Sequence, residues 1–200
     1  MILILAAFVS LFPFYFMFVS GTNTNTEILS VPPKLSIGTA LLDNFAILQD
    51  KMNIAMSIFN SVFISVVYTL LAVLLFSAAG YALAKYEFKG KNLIFAFIMG
   101  SMMIPAVVMY VPLFEMMIKL QMTDTYSSVI LPMLANAFGI FLMRQNMLEF
   151  PTALIEAGRI DGLSETSIFF RIVLPNVKPA IGALVIYMFT SMWNNFMWPL

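Results

Sequence analysis

Residues 156–175 read EAGRIDGLSETSIFFRIVLP, and the fold turns on how this stretch is read. It holds more charge than most of a chain that is 62% hydrophobic and only 10% charged. Pro151, just upstream, suits the first position of a helix. A short helix is predicted over Thr152–Ile160, with Leu154, Ile155 and Ala157 available to pack. Gly162 is placed to stop it, because glycine enters the left-handed conformation cheaply. Ser164 can cap a second helix whose first turn carries Glu165. Ile168, Phe169 and Ile172 share one apolar face of that helix. Pro175 is predicted to end it and Pro179 to open the next apolar run. Helices this short are unstable alone in water and must dock, either on the underside of their own bundle or on another subunit.

Outward from this segment the sequence is mostly oil. Soluble domains carry roughly 25% charged residues, and the mean hydropathy here is +0.95. The solvent that fits such a chain is a bilayer. The formal net charge is zero, which gives no reason to expect a nucleic-acid partner. There is no Cys and no His, so disulfides, thiol chemistry, imidazole bases and the usual zinc or copper ligand sets are excluded. The 17 Met residues read as flexible packing side chains rather than a metal path. No catalytic group and no metal site is expected.

A spanning helix needs about 20 mostly apolar residues, and five runs qualify. They are Ile2 to about Val19, Ser57–Ala84, Leu93–Leu113, Tyr126–Met143 and Pro179 to about Pro199. The first lacks a basic flank and a small-residue cleavage site, so it reads as an anchor rather than a signal peptide. The expected fold is therefore all-α, a polytopic membrane helix bundle. Its expected divisions are residues 1–55, a first span with its loop, and residues 56–200, a transmembrane core carrying the charged loop at about 144–178. Lys85, Lys89, Lys91, Arg144, Arg159, Arg171 and Lys178, seven of ten basic residues, fall in two loops on one side. The positive-inside rule makes that side cytoplasmic. The N-terminus is then inside, and the polar, turn-rich segment Gly21–Ala55 is an external loop.

Ionisable residues fall only at the ends of these runs, which argues against a proton relay or ion pump. Neutral polar candidates for a substrate path are Asn60, Asn136, Asn194 and Asn195, each of which also suits interhelical hydrogen bonding. Gly80 in SAAGYALAK reads as a close helix contact. Pro105, Pro112 and Pro132 are expected to bend their spans, either for packing or to line a path that opens and closes.

The order Glu156-Ala157-Gly158, three residues, Gly162, nine residues, Ile172-x-Leu174-Pro175 resembles the EAA loop of ABC importer permeases. The departure is Gly158, where that family usually has Ala. Asp161 before Gly162 resembles the sugar-importer version. LFPFYFMFVSGTNTNTEI, AAGYALAKYEFKGKN, MIPAVVMYVPLF, DTYSSVILP, GIFLMRQNM and WNNFMWPL also resemble the carbohydrate-uptake branch, in order across nearly the whole chain. Within it the likeness is to the second permease, the maltose-system G type.

The resemblance implies a bacterial-type inner-membrane permease subunit forming half of a translocation pathway for sugars or oligosaccharides. It implies a second permease subunit, cytoplasmic ATP-binding subunits and an extracytoplasmic sugar-binding protein as partners. It assigns Glu156, Ala157, Gly158, Asp161, Gly162, Ile172, Leu174 and Pro175 to a coupling helix that fits a cleft on the ATP-binding subunit. A phosphate-cradling GxxxxGK[ST] loop is absent, and Gly90-Lys91 lacks the preceding glycine and the hydroxyl. ATP would therefore be bound by the partner, and this chain needs no cofactor and is not expected to be an enzyme. A polyol derivative such as glycerol phosphate is the alternative cargo. An ATP-independent secondary transporter is the alternative class. The resemblance also implies six spans, so the chain as given is expected to be a fragment lacking the sixth.

Overall fold

The computed structural model describes residues 2–199, and no strand occurs among them. The chain separates into two compact units, Met1–Phe59 and Asn60–Leu200.

In the first unit, α1 (Ile2–Thr22) is apolar throughout and buries only Val19 and Thr22 at its end. A continuous apolar surface of this kind is what a bilayer, not water, would cover. The segment expected to be a plain external loop is partly helical. It contains α2 (Asn25–Ile28) and α3 (Leu41–Lys51). A capping box explains α2. The Thr24 N–H and hydroxyl both donate to Glu27 at 3.0 Å, and Lys34 pairs with the same carboxylate at 2.7 Å. Lys34 first, then Thr24, hold the Glu27 carboxyl down at about 2. The polar composition of this loop hid these helices, because capping residues and turn residues are the same residues.

The second unit is organised on α4 (Ile54–Lys85), which begins in the first unit. After it come α5 (Lys91–Ser101), α6 (Ala106–Lys119), α7 (Tyr126–Met133) and α8 (Ala137–Leu148). Next are α9 (Thr152–Ile160), α10 (Glu165–Ile168), a π-helical turn (Phe169–Val173), α11 (Leu174–Asn176) and α12 (Lys178–Trp193). The core joins α4, α8 and α12 through Tyr68, Ala72, Phe76, Met143, Met147, Leu184 and Met188. Gly80 does make a close helix contact. A Cβ there would stand 2.7 Å from Met143 Cβ and 2.8 Å from the Arg144 backbone nitrogen.

Among the described residues, only α1 and α4 are long and apolar enough to cross a membrane unbroken; up to five spans result when each bent pair counts as one. The third predicted span is α5 and α6 meeting at 101°, and the fourth is α7 and α8 meeting at 48°. Pro105 sits at the first break, in extended backbone before α6, where its missing N–H and its restriction of the preceding residue oppose a continuous helix. Asn136 restarts the second, its Oδ1 accepting from Gly139 N at 3.0 Å. The third predicted span also runs past Leu113, since α6 ends at Lys119. The last predicted span stops short: α12 ends at Trp193, and Trp198 turns back so that its indole N–H donates to Ser128 O at 2.9 Å.

Candidate functional site

The helix–glycine–helix segment forms as the residues dictate. Pro151 precedes α9 as its cap rather than occupying the first turn. At the other end Gly162 has φ +77°, its N–H donates to Arg159 O at 3.1 Å, and Leu163 N–H donates to Gly158 O at 3.0 Å. These two bonds make a Schellman closure, which satisfies the last carbonyls of α9 and needs a left-handed residue. Ser164 then caps α10, its Oγ accepting from Ser167 N at 3.3 Å.

Pro175 does not end the second arm. The backbone widens into a π-helical turn over Phe169–Val173 and carries on through Pro175 to Asn176. A wider turn relieves the clash between the proline ring and the carbonyl one turn earlier. The arm meets α12 at 84°, with Pro179 at the start of α12.

The eight residues assigned to this segment divide by face. Glu156, Ala157, Asp161, Gly162 and Pro175 are exposed, while Gly158 is buried and Ile172 and Leu174 are half-buried. Among the described residues, Glu156 and Asp161 form no ion pair. Of the apolar residues offered for packing in the first arm, only Ile155 is buried; Leu154 and Ala157 face outward, beside an Ile160 that is 86% exposed. Gly158 lets the arms touch. A Cβ there would lie 2.8 Å from Ile172 Cδ1 and 3.2 Å from Ile168 Cγ1.

Three side chains that the sequence did not assign to this segment's geometry hold it: Arg159, Tyr86 and Lys85. Arg159 grips Glu165 through Nε (2.6 Å) and Nη2 (3.3 Å). The Tyr86 hydroxyl donates to the same carboxylate. Arg159, then Tyr86, hold the Glu165 carboxyl below its usual range; burial, then the Glu165 hydrogen bond, push the Tyr86 phenol up. Lys85 adds a second tie, donating to Phe150 O at 2.5 Å and to Leu148 O and Thr152 Oγ1 at 3.3 Å. The end of α4 is thus fastened to both arms. The cue was Lys85-Tyr86 at the close of a long apolar run, with carboxylate and carbonyl partners some 65 to 80 positions away.

The four asparagines lie toward the other end of the unit. Asn60 to Lys85 along α4 is about 37 Å at 1.5 Å per residue. Asn60 accepts from the Tyr126 hydroxyl at 2.8 Å and borders a cavity of about 660 Å³ lined also by Thr123, Asp124, Ser128 and Trp198. A second cavity, about 300 Å³, touches Asn60, Ser65 and Asn195. A third, about 240 Å³, touches Asn195, Asn136 and Tyr68. Shared residues therefore link Asn60, Asn195 and Asn136 into one polar series. Asn194 is not in it; its amide donates to Thr190 O at 2.8 Å.

A bundle of broken apolar helices thus carries a polar cavity series and, some tens of ångströms away, a helix–glycine–helix segment in which Glu156 and Asp161 form no ion pair among the described residues. The sequence matches the model of the binding-protein-dependent transport system inner membrane component over residues 77–200. The chain is 39% identical to the arabinooligosaccharides transport system permease protein AraQ of Halalkalibacterium halodurans, over 97% of this chain and 71% of that one. It is 38% identical to the lactose transport system permease protein LacG of Rhizobium radiobacter, over 100% and 72%. It is 32% identical to the sn-glycerol-3-phosphate transport system permease protein UgpE of Pectobacterium atrosepticum, over 99% and 73%. The fold matches a chain in the crystal structure of a bacterial ABC transporter involved in alginate import, with TM-score 0.84 at 23% identity, covering 98% of this chain and 70% of that one. The chain belongs to the binding-protein-dependent transport system inner membrane component family, and it is a permease subunit of an ABC importer.

Proposed function

We propose that this chain forms half of a translocation pathway for a neutral sugar or oligosaccharide, and that Glu156–Pro175 is the lever through which a separate ATP-binding subunit drives it. The observation that carries the coupling role is the closed turn at Gly162 beside Glu156 and Asp161, two exposed carboxylates without ion-pair partners. A cleft bearing basic groups on the ATP-binding subunit would complete them. The basic residues of the chain favour a cytoplasmic lever and N-terminus. A second permease and an extracytoplasmic sugar-binding protein complete the assembly expected of the family.

The cargo assignment is supported by the lining of the cavity series. It offers Asn, Ser, Thr, Tyr and Trp side chains with one carboxylate, Asp124, and no Lys or Arg. Hydroxyl-rich cargo finds donors, acceptors and aromatic faces there. A phosphate monoester would lose water beside a carboxylate with no cation to compensate. The relatives named for arabinooligosaccharide and lactose transport agree with the neutral reading, and the one named for sn-glycerol-3-phosphate supplies its competitor.

Cysteine cross-linking tests the docking. The native chain has no Cys, so Glu156→Cys and Asp161→Cys should each form one cross-link to the ATP-binding subunit, and Thr24→Cys none. Failure of both lever positions to cross-link in an assembled complex would refute the docking role. Uptake of a labelled oligosaccharide in preference to labelled glycerol phosphate, in vesicles carrying the assembled importer, tests the cargo.

A further inference from the structure

Helix α3 has no role in either the lever or the cavity series. It joins two spans: its start follows α1, and its last residue, Lys51, stands just before α4 at Ile54. The start is fastened to the end of α1. Ala40 N donates to Thr22 O at 2.8 Å, and the Asn44 amide donates to Gly21 O at 3.0 Å and Asn23 O at 2.9 Å. Consecutive spans joined by one connection end on the same membrane face. A helix of 11 residues, about 16 Å long at 1.5 Å per residue, therefore runs between two points at that face.

The helix is two-sided. At about 100° per residue, Leu41, Leu42, Phe45 and Leu48 fall in one sector. Asp43 and Asp50 fall opposite, and Asn44 lies to the flank that meets α1. Two residues break the pattern: Ile47 is apolar on the polar side, and Gln49 is polar within the apolar sector. The apolar sector is open: Leu42 is 79% exposed, Phe45 59% and Leu48 45%. In the same unit, α1 leaves most of its bulky side chains exposed, from Ile2 to Phe18, with Phe16 half-buried and Val19 buried. Segregated faces, a composition too polar to span, and attachment at both ends to membrane-spanning helices describe an interfacial helix, not a water-exposed connector.

We infer that Leu41–Lys51 lies in the lipid interface, with Leu41, Leu42, Phe45 and Leu48 in the boundary between headgroups and acyl chains and Asp43 and Asp50 in water. The occupant of the apolar face is the bilayer surface itself. Such a helix fixes the depth at which α1 and α4 enter the membrane, since it resists both sinking and lifting.

The test is a nitroxide scan. Single cysteines at Leu42, Asp43, Phe45, Leu48 and Asp50 are spin-labelled in the importer complex, reconstituted in vesicles of phosphatidylcholine and phosphatidylglycerol. Collision with oxygen, which concentrates in lipid, is compared with collision with a water-soluble nickel chelate. Leu42→Cys, Phe45→Cys and Leu48→Cys should favour oxygen several-fold more than Asp43→Cys and Asp50→Cys. Leu48→Cys repeats the reading if Phe45→Cys does not assemble. Equal nickel access on both faces would make α3 a solvated connector. Labels at Leu42, Phe45 and Leu48 shielded from both reagents would mean that a protein partner covers the face. Either result overturns the assignment.

Discussion

Gly158 and Gly162 stand one helical turn apart and are glycine for opposite reasons. Gly162 has open space where a Cβ would go, but its φ of +77° is one that L side chains rarely adopt. Gly158 has an ordinary backbone and no room, with Ile172 Cδ1 in the way. The obstacle at Gly158 is the tip of a flexible side chain, so Gly158→Ala should assemble and transport close to normally, with a detergent melting temperature near the parent's. Gly158→Leu should separate the arms, at a cost of about 1–3 kcal/mol by overpacking, and lower that temperature. Glu165 gives a pH expectation. Its carboxyl is held below its ordinary value, so the Arg159–Glu165–Tyr86 clasp contributes fully above the unfolded-state value of 4.5 and is lost as pH falls through the depressed folded one. Cross-linking of Arg159→Cys to Glu165→Cys would destroy what it reports, so the readout is hydrogen exchange at Leu163–Ile168. Protection there should persist at pH 5 in the parent and fall at every pH in Glu165→Gln. The role of Gly162 as a bend was legible, because glycine before a capping serine has one economical conformation. The clasp was not, because nothing local in the sequence says that Tyr86 meets a residue 79 positions on.

At the scale of elements, Lys85 and Tyr86 fasten the end of α4 to both arms of the segment. Lys85→Met should remove one charge-assisted tie, worth about 1.5–3 kcal/mol, and loosen coupling more than stability. The ratio of uptake to ATP hydrolysed should drop while assembly holds. Gly80→Leu tests the packing of α4 on α8. Its Cβ would meet the Arg144 backbone nitrogen at 2.8 Å, which cannot rotate away, so the detergent melting temperature should fall and partner assembly with it. The apolar runs themselves were readable, since hydropathy adds residues without regard to direction. The 101° and 48° breaks were not, because a proline marks where a helix can break and the packing of its neighbours decides how far. The π-helical passage through Pro175 was missed for a related reason: a proline stops an ideal helix, and this one is widened.

Across the whole molecule, the proposed lever lies near one end of α4 and the polar series near the other. The proposed orientation rests on the basic residues and has its own check: Thr24→Cys should react with an impermeant thiol reagent in intact cells, and Glu165→Cys only after permeabilisation. The central claim is that the Gly162 turn transmits ATP hydrolysis without touching cargo. Its most direct test is Gly162→Asp in the assembled importer, with uptake and cargo-stimulated ATP hydrolysis measured side by side in the same vesicles. A side chain at φ +77° costs roughly 1–2 kcal/mol locally, too little to unfold a chain whose spans are unchanged, and the added carboxylate stands next to Asp161 on the face proposed to dock. The expected result is normal assembly, a steep loss of uptake and ATP hydrolysis that no longer responds to cargo. Normal uptake with normal cargo-stimulated hydrolysis, at normal assembly, would contradict the account and leave residues 156–175 a structural connector.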